Sequence, residues 1–161
     1  GVDVEATHAW RTAAGRWSLG AGATRTSEYR VVLAPGAPAQ DRLGRRFSDH
    51  WAPVWKARLS AMWAHGPWGV AATSRYVGAY RDAGTRERRL GDIWVHDLAT
   101  SVDLKQLGLP GVSGLRGAGL SLGIANLTDR QPQFVDTLPY YDVTQADWRG
   151  RYANLRLSID W

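Results

Sequence analysis

The sequence predicts an all-β chain: about seven antiparallel strands of a transmembrane β-barrel. Three observations carry this expectation. Apolar and polar residues alternate with a period of two in seven segments. Trp residues fall at the ends of those segments, and short and long connections take turns between them.

The segments run as follows. Val2, Val4, Ala6, His8 and Trp10 form one face of the first, against Asp3, Glu5 and Thr7. Trp17, Leu19, Ala21 and Ala23 follow, backed by Ser18, Gly20, Gly22 and Thr24. The third sets Trp55, Ala57, Leu59, Ala61 and Trp63 against Lys56, Arg58 and Ser60. The fourth has Trp68, Val70, Ala72, Ser74 and Tyr76 opposite Thr73 and Arg75. Trp94, His96, Leu98, Thr100 and Val102 make the fifth, opposite Asp97, Ser101 and Asp103. Ala118, Leu120, Leu122 and Ile124 make the sixth, backed by glycines and Ser121. In the last, Ala153, Leu155, Leu157, Ile159 and Trp161 alternate with Tyr152, Asn154, Arg156, Ser158 and Asp160. Each is close to the roughly 9–11 residues that a tilted strand needs to cross a bilayer.

Alternation also occurs in half-buried sheets, so the period by itself does not name the solvent. The aromatics and loops point to lipid. Trp10 and Trp17 bracket the connection at 11–16, and Trp63 and Trp68 bracket the one at 64–67. Trp55, Tyr76 and Trp94 sit near the opposite ends of their strands, which reads as two aromatic girdles. Residues 27–53, 81–91 and 127–150 read as long outer loops; residues 105–114 should be a short turn and are roomier than that.

Composition fits the same expectation. Nine Trp accompany two Phe, one Met and no Cys, and an indole suits a boundary that is apolar on one side and wet on the other. No run of about eighteen apolar residues exists, so strands would have to carry any membrane role. The net charge of +5 does not indicate nucleic acid. The basic residues are spread along the chain, and the clusters Arg45-Arg46 and Arg86-Glu87-Arg88-Arg89 lie in expected loops without a nucleic-acid-binding signature. Seven strands leave an unpartnered first edge, so the chain reads as a fragment whose earlier strands precede Gly1.

Asn126-Leu127-Thr128-Asp129-Arg130-Gln131-Pro132 is a strand-to-loop exit in which Asn and Asp can satisfy freed backbone groups. With the closing strand Gly150-Arg151-Tyr152 to Trp161, it resembles the end of a TonB-dependent outer-membrane receptor. Trp161 stands where that family usually has Phe. Looser likenesses extend over nearly the whole chain, through residues 53–60, Arg75-Tyr76-Val77-Gly78 and Trp94-Val95-His96-Asp97-Leu98. The resemblance implies that residues 1–161 are the C-terminal part of a 22-stranded barrel, without its plug domain. It implies TonB-energised uptake of a scarce ligand such as a ferric siderophore, in the cell outer membrane of a Gram-negative bacterium. Partners would be outer-membrane lipid, the TonB system through the plug, the barrel-assembly machinery and the ligand. Leu155, Leu157, Ile159 and Trp161 would then serve as membrane anchor and assembly signal.

Asp97, Asp103, Arg58, Arg75 and Arg156 should point into a polar lumen, and Arg58 and Arg75 are candidate ligand contacts. His50, on a long loop, is a third. No His pair has metal-ligand spacing, no Cys could complete a zinc site, and no nucleophile elbow or phosphate fingerprint is present. Neither an enzyme nor a resident cofactor is expected. Two other architectures account for the same alternation. One is a soluble β-sandwich that binds carbohydrate through its Trp residues; the other is a complete small outer-membrane barrel with an eighth strand within residues 27–53.

Overall fold

The computed structural model describes residues 1–161 except Thr85, Arg86, Pro139 and Ala146. Arg86, one member of the basic cluster, therefore lies outside the described residues. Among the described residues the chain is all-β, with twelve strands in three open sheets.

Seven long strands form one antiparallel sheet in chain order: β1 (Val2–Thr12), β2 (Gly15–Arg25), β6 (Trp55–His65), β7 (Trp68–Val77), β10 (Ile93–Asp103), β11 (Gly117–Ala125) and β12 (Tyr152–Asp160). Each lies where the apolar and polar residues alternate. The turns at one end are tight. Thr12 pairs with Gly15 across two residues. His65 pairs with Trp68 across Gly66-Pro67, with Gly66 at φ +53. Gly at the first central position and Pro at the second suit a type II′ turn, whose twist matches that of the flanking strands. The roomier connection after β10 is held by Asp103, whose carboxylate accepts the backbone N–H groups of Lys105 at 3.0 Å and Gln106 at 3.1 Å.

Register keeps the two faces separate across the whole sheet. Leu19 pairs with Ala61, Ala61 with Ala72, Ala72 with Leu98, Leu98 with Ile124 and Ile124 with Ala153, all on one apolar face. The opposite face carries Glu5, Arg58, Arg75, Asp97 and Arg156.

The sheet does not close, and this corrects the expectation of a transmembrane barrel. β1 and β12 are its two edges, they do not pair with one another, and every residue of β12 is exposed. A period of two reports which side each residue faces and carries no information about closure. The complete small barrel fails for the same reason. Within residues 27–53, β3 (Arg30–Val31) and β4 (Gln40–Asp41) pair only with each other. β5 (Arg45–Arg46) runs parallel to β8 (Tyr80–Asp82), which pairs in turn with β9 (Arg88–Leu90).

These short strands change the picture of the long connections, which form a cap over the polar face at the end opposite the tight turns. The cap holds the buried apolar core: Tyr80, Leu90, Ile93 and Val135, with Trp51, Val77 and Val95 packed against it. Val77 and Ile93 are cross-strand partners on the polar-face parity, which ties the cap to the sheet.

Candidate ligand-binding site

A cleft of about 570 Å³ opens on the polar face under the rim of the cap. Its construction follows from register. Glu5 on β1 is opposite Gly22 on β2, Gly22 is opposite Arg58 on β6, and Arg58 is opposite Arg75 on β7. One row along, Asp3, Thr24 and Lys56 repeat the order. With strands about 4.8 Å apart, the acidic and basic walls stand roughly 10 Å from each other. Gly22 leaves the floor between them bare: a Cβ there would meet only the Val4 carbonyl oxygen, at 3.9 Å. Thr144 and Gln145, from the connection between β11 and β12, line the roof.

The two walls differ in how their charges are met. Thr24 donates its hydroxyl to Asp3 at 2.6 Å. Arg75 donates to Asp97 at 3.0 Å, and Asp97 also accepts the Asn126 backbone N–H at 2.9 Å. Among the described residues Lys56 and Arg58 form no ion pair. Arg58 directly opposes Arg75, a like-charge pair that destabilises a sheet unless something neutralises it. The basic wall is thus suited to an anionic or acceptor-rich group, and the acidic wall to hydroxyl donors.

The roof is set by a buried polar cluster in the cap. Arg46 Nε donates to Asp142 at 3.1 Å, and its Nη1 donates to Asp82 at 3.2 Å and to Thr137 at 3.0 Å. Asp142 also accepts the Thr144 backbone N–H at 2.9 Å, the Thr144 hydroxyl at 2.6 Å and the Tyr80 hydroxyl. Burial, and then the Asp142 carboxylate, push the Tyr80 hydroxyl well above its usual range, so it stays a donor. Beyond the roof, the Arg149 side chain holds exposed Asp147 down to about 2, with a smaller contribution from Arg75.

Of the sequence-predicted contacts, Arg58 and Arg75 lie together in this cleft and His50 does not. His50 is exposed in the cap, where its carbonyl accepts from Arg42 at 3.2 Å and its backbone N–H helps hold the Asp49 carboxyl low. Asp103 and Arg156 share the polar face but lie outside the cleft. Asp3, Glu5, Gly22, Lys56, Thr144 and Gln145 were not singled out. The first four shared the polar parity of their segments, but only strand order puts them in adjacent rows. Among the described residues no group of three or more His, Asp or Glu side chains could hold a metal ion.

The aromatic bands have local partners. Trp10, Trp17 and Trp63 lie side by side, with ring centroids 6.3 and 6.1 Å apart, and Trp63 donates its indole N–H to the Ala14 carbonyl at 2.8 Å. His96 on the apolar face is matched by Ser74 at 2.8 Å. Leu155, Leu157, Ile159 and Trp161 project from the apolar parity of the open edge, with Trp161 86% exposed.

The 126–132 element likewise has a structural account within this chain. Asn126 and Asp129 adopt left-handed backbone at φ 53 and 54. The Asn126 amide donates to the Arg130 carbonyl and accepts the Arg130 N–H, at 2.9 and 2.8 Å. Asp129 accepts the Arg151 N–H at 2.8 Å and so joins the exit of β11 to the entry of β12. No family model, no curated protein and no solved structure matches the chain. The resemblance to a TonB-dependent receptor is therefore corrected: its most specific element is a local turn lock, and the sheet that follows is open. With the barrel go the outer-membrane location, TonB-energised siderophore uptake, and outer-membrane lipid, TonB, the barrel-assembly machinery and a ferric siderophore as partners.

Proposed function

We propose that this chain is a non-catalytic binding module that takes a short acidic oligosaccharide, or a similarly hydroxyl-rich anion, in the polar cleft. The observation that carries the reading is the row Glu5–Gly22–Arg58, in which acceptor and donor walls face each other across a bare floor. Sugar hydroxyls would donate to Glu5 and Asp3, and a ligand carboxylate would accept from Arg58 and Lys56. The volume falls within the roughly 300–1,000 Å³ of small-molecule sites. Arg75 is held by Asp97 and would orient the ligand more than attract it.

Titration calorimetry with oligogalacturonates and with neutral cello-oligosaccharides tests this. Acidic ligands should bind, weaken with salt, and lose about tenfold in affinity in Arg58→Gln. Equal binding of the neutral series, or no binding of either, would exclude the reading.

A further inference from the structure

The apolar face of the sheet is the largest feature that the cleft leaves unused. It is continuous over seven strands, and Arg25 is its one Asp, Glu, Lys or Arg residue, lying 5.9 Å from the Trp55 ring. Leu19, Leu59 and Leu157 stand 48, 47 and 59% exposed on it. A patch this large and this apolar marks an interaction surface. We propose that it is covered by the same face of a second copy, giving a two-layer β-sandwich with both polar clefts outward.

Two observations select this occupant. The first is area. Seven strands at about 4.8 Å spacing and about nine residues at 3.3 Å rise present roughly 1,000 Å². Two such faces bury on the order of 2,000 Å², which is what permanent homodimers use. The second is relief. The face has both projections, at Leu19 and Leu59, and a hollow of about 500 Å³ bordered by Ala21, Ala61 and Ala72. Facing sheets interdigitate through that combination, about 10 Å apart. Two polar side chains near the middle of the face, Ser74 and His96, are bonded to each other.

Sedimentation equilibrium of the 161-residue chain at micromolar concentrations tests the proposal. Twice the 17.8 kDa chain mass is expected. Leu59→Glu should raise the dissociation constant at least about 100-fold while the strand signal in circular dichroism persists. The chain has no Cys, so single substitutions give clean cross-links. Ala72→Cys, central on the apolar face, should form a bismaleimide-linked dimer, and Thr73→Cys, on the opposite face, should not. A folded monomer at all concentrations would overturn the proposal. So would equal cross-linking at both positions, or flotation of the chain with phosphatidylcholine–phosphatidylglycerol vesicles.

Discussion

Glu5 and Arg58 stand in one cross-strand row with Gly22 alone between them, so an acid and a base face each other over an empty floor. Had that floor carried a side chain, the two walls would be separated by protein. The missing Cβ is what makes the polar face concave at this point.

Gly22→Leu should therefore block the cleft without unfolding the sheet. Gly22 has no positive φ, and a Cβ there finds ordinary van der Waals space. Calorimetry should show ligand affinity reduced by at least about 30-fold, or about 2 kcal/mol. Thermal melting should be unchanged or slightly raised, since Gly weakens a strand interior.

Arg46 is the buried cation between two buried carboxylates, Asp82 and Asp142. Removing it leaves both without their charge partner, so Arg46→Ala should lower unfolding stability by about 3–5 kcal/mol in urea titration. Because Asp142 also holds Thr144, the same variant should loosen the roof. Amide hydrogen exchange should accelerate at Thr144 more than in the middle of β7.

Two groups predict pH dependence at opposite ends of the scale. Asp147 titrates at about 2 in the folded chain against 3.8 for an unperturbed carboxyl, because Arg149 and then its backbone N–H favour the charged form. A depressed pKa gives stability that is present above about 3.8 and lost as pH falls toward 2. Asp147→Asn should flatten the stability profile in that window, by a small amount because the pair is exposed to solvent. Tyr80 behaves the other way. Its folded form resists ionisation while the unfolded form titrates at 10.0, so stability should fall as pH rises beyond 10. Ultraviolet titration should show one tyrosine silent until unfolding, and Tyr80→Phe should remove that silent group.

The alternation was sufficient to place the long strands and sort their residues onto two faces. Val4, Leu59 and Leu157 share one side, and Glu5, Arg58 and Arg156 the other, because side-chain direction in a strand is set locally, residue by residue. Arg58 and Arg75 were accessible as candidates on the same ground. His50 was not resolved by it, since a loop residue has no such periodicity.

Everything that depended on partners distant in sequence needed the fold. The closing of the sheet is a relation between β1 and β12, about 140 residues apart, and no local pattern reports it. The cap core joins Tyr80 and Leu90 to Val135, and its charges join Arg46 to Asp82 and Asp142, out of segments that by themselves look like solvated loops. The cleft arises only when β1, β2, β6 and β7 lie side by side in register. Period two decides which way a residue points; strand order and register decide what it meets there.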